Sequence, residues 1–505
     1  MGVRMRYTGA VAYAASVVNA LIGLLFSTLV TRVLTPGELG VWRYIGVLVA
    51  YFAIPTHVFC FWYTRLTAQG HRVLRTALTM SSSTAIAATL LFLSAAGGFS
   101  GLVGRYEAAF LVAALELPAI YVYSAFESVA AARAPHLNYY VIIVQDLVKL
   151  PLGLMFVVGL RLSLVGALLA TVLSLAARAL SIAVLLRGLD WGHVDLKLAR
   201  RVLSLAWVPL YGLIPSQLGS LDNIVVILFT QSTSPLGYLT ALGLVGSAIA
   251  MSGSLAAALY PRMLQSPSKR DVEDAVSLTM MLAVPVSVGA VVLGDHLLNI
   301  LRPEYAAAAH LLPIIALGSV ASIINSIAEA AIVGGERVDY RSEVGWREVV
   351  GSGLFLVPSV NLASSAAYLA LLCASFAVLR PGDALSAAMT WAAVSLSVSL
   401  VVVAYKWRVA SRRVGFSAPR AQLLRYLVSS AVMAAVVYLA RPASLPKEVA
   451  PALASTMPVV LLGSIVYFAV LWAIDEGFRS LLKSAVGQLK AYVAPFGALR
   501  GRPRE

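Results

Sequence analysis

Cysteine is nearly absent. Cys60 and Cys373 are the only two in 505 residues, and both lie in apolar runs, which excludes a disulfide framework and a paired-cysteine metal site. Charge is equally scarce. With 12% charged against 60% hydrophobic residues, the chain has too much apolar surface for one water-soluble core and reads as an integral membrane protein. No nucleotide-binding P-loop, HExxH or nucleophile elbow occurs, and no polar segment is long enough to fold as an ATPase or catalytic domain. These absences exclude a primary pump and leave no catalytic and no metal-binding residue to name. The net charge of +15 comes from Lys and Arg scattered between apolar runs rather than gathered in one domain, which argues against nucleic acid and for membrane topology.

What the sequence has in abundance is apolar runs of about 20 residues, the length that crosses a bilayer. They fall at 11–31, 44–63, 77–97, 109–131, 139–160 and 162–186, then at 204–229, 237–260, 275–294, 305–333, 350–379 and 384–405, with two more at 421–440 and 452–474. The expectation is an all-α polytopic protein of about fourteen transmembrane helices. Met1 to Thr8, with Arg4 and Arg6, leads into the first run and reads as the inner flank of an uncleaved span. With both termini inside, the inner segments, counting Arg425 at the inner end of 421–440, carry 28 Lys and Arg and the outer turns 8, the asymmetry expected of a cytoplasmic side. Splitting 350–379 into two spans would put six basic residues from Lys406 to Arg425 outside, so one span is expected there. Seven of the eight Trp, all but Trp391, fall near span ends, where indole suits the interface. From Phe478 an apolar stripe at helical spacing, ending in the basic stretch Arg500 to Arg504, predicts an amphipathic tail on the inner leaflet.

A short polar turn, Thr31-Arg32-Val33-Leu34-Thr35-Pro36-Gly37-Glu38-Leu39-Gly40-Val41-Trp42, separates the first two runs. It has an echo in Thr230-Gln231-Ser232-Thr233-Ser234-Pro235-Leu236-Gly237-Tyr238, with Pro235 standing 199 residues after Pro36. A second echo has nearly the same offset: Ser124-Ala125-Phe126-Glu127 and Ser326-Ile327-Ala328-Glu329 are 202 residues apart. Two echoes at one offset predict an internal duplication, as in repeat-built transporters. The expected organisation is an N-lobe at 1–187, a C-lobe at 188–405, two additional helices at 406–475 and the tail at 476–505.

Ionisable residues inside spans are costly there and are functional candidates. They are Glu116, Glu127, Asp146, Lys149 and Arg178 in the first half, and Asp222 and Glu329 in the second. One reading has them line a hydrated cavity, with Lys149 and Arg178, helped by Arg32, meeting an anionic substrate, and with Glu127, Asp146, Asp222 and Glu329 in gating or ion coupling. The other has Asp146 and Lys149, three residues apart, neutralise one another, and Arg178 pair with Glu127 to fix helix packing. Pro209, Pro215, Gly212 and Gly219 predict a bendable seventh span.

The turn Arg32-Val33-Leu34-Thr35-Pro36-Gly37-Glu38-Leu39-Gly40 resembles the signature of the Wzx-type polysaccharide flippases of the multidrug/oligosaccharidyl-lipid/polysaccharide exporter (MOP) superfamily. The likeness extends through Leu221-Asp222-Asn223, Gly237-Tyr238, Tyr260-Pro261-Arg262, Arg302-Pro303-Glu304-Tyr305-Ala306-Ala307-Ala308 and Gly334-Gly335-Glu336-Arg337, covering nearly the whole chain. The resemblance implies two six-helix lobes in a V around a central cavity, a MATE-like fold with two extra C-terminal helices, and alternating access in the cell membrane. It also implies a polyprenyl-diphosphate-linked oligosaccharide as substrate, moved from the inner to the outer leaflet, with membrane lipids and polysaccharide-assembly proteins as partners. No cofactor is expected beyond a coupling ion, H⁺ or Na⁺. The cationic lining is sparse for that family, which leaves a multidrug or cation antiporter of the same fold as the alternative. A membrane glycosyltransferase, polymerase or ligase acting on lipid-linked sugars fits less well, because the outer turns are short and carry few acids.

Overall fold

The structure, a computed structural model, describes residues 19, 22–104, 106–188, 191–257, 259–265, 268–335, 352–480 and 482–483. Most of the amphipathic tail read from the sequence, from 484 onward, lies outside these residues. Among the described residues every regular element is helical. Twelve helices are long and apolar enough to cross a bilayer, and Pro36–Phe52 with Ile54–Ala68 makes one further span bent by 48°. With the shorter apolar helix Ile22–Val33, the spans fall in the order the apolar runs predict. The chain is a multi-pass membrane protein. The stretch at 350–379 is a single helix, Gly353–Leu379.

Local chemistry explains where the spans begin and bend. The second span opens on a capping box: Glu38 N–H donates to Thr35 Oγ1 (3.3 Å), Thr35 N–H donates to Glu38 Oε2 (3.0 Å), and Pro36 needs no donor partner in the first turn. Its bend follows Ala53, where Pro55 removes a backbone donor. The fifth span contains Pro151 and continues as a π-helical stretch, Leu154–Gly159. The seventh is interrupted at Leu221, between Trp207–Ser220 and Asp222–Thr230. Several helices extend past the apolar runs that mark them, and two of these extensions place a cation inside a span. The second span starts at Pro36 rather than 44 and so contains Arg43, and the twelfth, Ala384–Val414, runs past 405 and so contains Lys406.

The chain divides into two compact units: Met1–Leu244 with Leu298–Leu311 and Arg341–Val398, and Val245–Leu297 with Leu312–Tyr340 and Ser399–Glu505. In the first, the fourth span (Glu107–Arg133) packs against the second, third and sixth, and the seventh packs against the eleventh and touches the second. Phe92 and Phe110 form part of its core, and the half-buried Phe52 packs on Phe92 edge to face at 5.3 Å. In the second unit the ninth span (Lys269–Val292) packs against the tenth and thirteenth, and the thirteenth against the fourteenth. Its ninth, thirteenth and fourteenth spans line an apolar cavity of about 350 Å³, with Leu282, Val286, Met433, Val437, Val460 and Phe468 among its walls.

Candidate functional site

Within the first unit, four spans bring polar side chains together around Asp222. Asp222 Oδ2 accepts from the Tyr368 hydroxyl (2.8 Å) and from Trp391 Nε1 (3.1 Å), and its Oδ1 accepts from Asn223 Nδ2 (2.7 Å). Arg43, from the second span, donates through Nε to Asn223 Oδ1 (2.7 Å) and lays its guanidinium over the Trp391 ring at 5.1 Å. A half-buried acid and a half-buried cation in one network thus share intermediaries, Asn223 and Trp391. Tyr51 extends the polar layer, bonding Gln217 O (2.5 Å) and Ser220 Oγ (2.8 Å). A carboxylate holding three hydrogen-bond donors, next to a cation, can take up a proton or exchange its partners when the spans move.

The acids and cations of the fourth to sixth spans settle into distinct arrangements. Arg178 donates to Glu127 through both Nε (2.5 Å to Oε1) and Nη2 (2.7 Å to Oε2), adds a bond to Gln145 Oε1 (2.8 Å), and stacks on Tyr123 at 4.3 Å. This fork-to-fork pair is the packing alternative foreseen from sequence. Asp146 and Lys149 make no direct ion pair, although each lies in the field of the other. Asp146 Oδ2 accepts from Asn19 Nδ2 (2.6 Å), while the Lys149 ammonium lies 4.4 Å over the Phe26 ring, with no carboxylate among the described residues within ion-pair distance. Spacing along one helix brings residues onto one face, but Asn19 and Phe26 of another span compete for both groups.

Glu329, in the second unit, pairs with Lys406 Nζ (2.5 Å), and Lys406 also reaches Asn325 Oδ1 (3.0 Å). Lys406 is wholly buried and Glu329 is 28% exposed. Glu336 and Arg337 of the motif that follows the tenth span lie outside the described residues.

Arg32 donates through Nη1 to the Asn299 carbonyl (2.8 Å), and Arg302 donates to Val33 O (2.7 Å) and pairs with Glu304. Beside them the two echo turns meet. Thr233 Oγ1 donates to Gly37 O (2.9 Å), a Cβ on Gly40 would stand 1.8 Å from Thr233 O, and one on Gly237 would stand 1.8 Å from Pro36 O. Only glycine permits this approach of backbone to backbone.

Sequence reasoning missed Arg43, Tyr368, Trp391 and Lys406. Trp391 did carry a signal, as the one Trp away from a span end. Among the described residues no group of three His, Cys, Asp or Glu side chains is placed to hold a metal ion.

No protein-family model matches the sequence, and no curated protein matches it. Solved structures do match. A lipid II flippase MurJ in an inward closed conformation superposes with a TM-score of 0.63 at 12% identity, covering 93% of this chain and 99% of that one. An inward-facing multidrug resistance MATE family transporter of the MOP superfamily gives 0.57 at 15% identity, over 79% of this chain and 96% of that one. An outward-facing one gives 0.50 at 14%, over 81% and 95%. This chain therefore has the fold that these flippase and MATE structures share.

Proposed function

We propose that this protein is a flippase that moves a polyprenyl-diphosphate-linked oligosaccharide from the inner to the outer leaflet of the cell membrane by alternating access, in the assembly of a cell-surface glycan. The observation that carries the proposal is Lys149, a cation inside a span, stacked on Phe26 and without a carboxylate in ion-pair range. Asp146 and Glu116 act on this cation only beyond ion-pair distance, which leaves it a face for an anion brought from outside the protein, and a diphosphate is one. A diphosphate with two negative charges would gain roughly 4–5 kcal/mol from an inside-negative potential of 100 mV, so the movement needs no ATP. The apolar cavity among the ninth, thirteenth and fourteenth spans suits a polyprenyl chain. In this reading both termini face the cytoplasm, and 1–187 and 188–405 are the two lobes, with 406–475 as additional helices. Arg32 and Arg178 supplement Lys149, while Glu127, Asp146, Asp222 and Glu329 act in gating or in coupling to H⁺ or Na⁺.

The antiporter reading draws on Asp222 inside the seventh span, whose hydrogen-bonded carboxylate also suits a cation or proton. Deletion of the protein, followed by extraction of lipid-linked glycans, separates the two. The flippase reading expects one lipid-linked intermediate to accumulate on the inner leaflet. Unchanged lipid-linked glycans with altered drug tolerance would instead establish the exporter.

A further inference from the structure

The seventh and eleventh spans enclose a groove of about 270 Å³ that the charged network does not use. Its walls are Gly212, Pro215 and Ser216 on one side and Pro358, Asn361 and Ser364 on the other, and no charged side chain lines it. Ser216 lies six residues before Asp222 and Ser364 four before Tyr368, so the groove is one to two helical turns from the Arg43–Asp222 network.

The chemistry of the lining is specific. Ser216 Oγ donates to Leu213 O (2.9 Å) and Ser364 Oγ to Asn361 O (2.9 Å), so each hydroxyl has used its proton and keeps lone pairs for a ligand. Pro215 and Pro358 have no N–H, which leaves the carbonyls of Tyr211 and Leu354 without their usual helical donor. Asn361 adds an amide. Ser365 Oγ donates across to Pro215 O (2.8 Å) and holds the two helices together at the base of the groove. A lining this rich in acceptors and free of charge, facing hydrocarbon, would leave polar groups unsatisfied, so the groove must open to water or to a polar ligand. Its complement is a neutral molecule with many O–H donors. A diphosphate, which only accepts, would meet lone pairs there.

We infer that this groove is the saccharide subsite, binding sugar hydroxyls while cations elsewhere hold the diphosphate. The inference rests on the flippase reading for the lipid part of the substrate but not for the sugar. A Cβ on Gly212 meets nothing within 4 Å, so Gly212→Leu fills the groove without disturbing helix packing, and Ser216→Ala with Ser364→Ala removes two hydroxyls with minimal change of shape.

The test uses the full chain in lipid nanodiscs with three probes: a polyprenyl diphosphate, the same lipid bearing an oligosaccharide, and the free oligosaccharide followed by saturation-transfer NMR. Both variants should weaken the glycosylated lipid about tenfold, the loss expected from a few neutral hydrogen bonds, and should abolish the free-sugar signal, with binding of the bare diphosphate unchanged. If the wild-type protein binds the free sugar and neither lipid, the lipid-diphosphate reading fails and the subsite stands. Wild-type binding of the two lipids with equal affinity, no binding of any sugar-bearing probe, or an equal loss for both lipids in the variants would overturn the subsite.

Discussion

The two Ser-x-x-Glu motifs hold their glutamates in different ways, and the difference shows how the choice of cation shapes an ion pair. Glu127 meets Arg178 of the sixth span as a fork on a fork, with Gln145 and Tyr123 fixing the guanidinium, and the two side chains are about equally exposed at 14% and 16%. Glu329 meets Lys406 of the twelfth span at a single ammonium, wholly buried, while the acid keeps a path to water. In each half a glutamate is answered by a cation two spans later. What recurs is the pairing of charge across the same two spans; the side chain that supplies it has changed. Arg gives a rigid, directional contact, and Lys a point charge that tolerates rotation.

The sharpest way to break this comparison is at Lys406. Replacing Glu329 by Gln removes a carboxylate from a fully buried ammonium and should destabilise the protein by about 3–5 kcal/mol, whereas Lys406→Met leaves an acid that can hydrate and should cost clearly less. The double substitution should recover most of the loss, and thermal melting of the purified variants measures all three. In the first pair the exposures match, so Arg178→Gln and Glu127→Gln should be about equally harmful. Arg178→Lys should keep the charge but lose the fork, at about 1–2 kcal/mol. Equal costs for Glu329→Gln and Lys406→Met would mean that burial does not distinguish the pairs.

The two echo turns offer a second comparison, because here the halves meet within one unit. Gly40→Ala and Gly237→Ala each drive a methyl into a backbone carbonyl. Each should cost about 1–3 kcal/mol and widen the distance between spin labels at Val41 and Leu236. If the distance does not change in either variant, the glycines are not what holds the turns together.

The smallest effect concerns a helix cap in the polar connection between the sixth and seventh spans. Asp195 caps the short helix Leu196–Ser204, and hydrogen bonds from the Leu198 and Lys197 N–H groups hold its carboxyl below the ordinary carboxylate value. A lowered value means the cap contributes fully above the ordinary carboxylate range and is lost as pH falls through the lowered one. The protection factors of the Lys197 and Leu198 amides should therefore fall only in acid, and Asp195→Asn should remove that dependence.

Apolar length made the spans legible, and repetition made the two turns and the two glutamates legible. What escaped was charge at the edges of runs. Arg43 and Lys406 stand next to the apolar stretches, so a hydropathy window closes before reaching them, although the helices continue by nine residues or so. Their burial depends on acids in other spans, Asp222 and Glu329, which no local pattern encodes. Asp146 and Lys149 failed for the related reason that helical spacing predicts proximity but not competition from Asn19 and Phe26. Tyr368 was invisible because an aromatic in a membrane helix is ordinary until its hydroxyl is seen to reach a carboxylate.

The central claim is movement of a lipid-linked, diphosphate-bearing sugar driven through a cationic site. It is tested most directly with the protein reconstituted in vesicles whose inner leaflet, loaded with a polyprenyl-diphosphate oligosaccharide, can be distinguished from the outer by a membrane-impermeant lectin. With the membrane potential set to drive anions outward, the account predicts that lectin-accessible lipid rises with the wild-type protein and stays near the protein-free rate with Lys149→Gln, which remains folded. A wild-type rate no faster than that of empty vesicles, or a Lys149→Gln rate equal to the wild-type one, would contradict it.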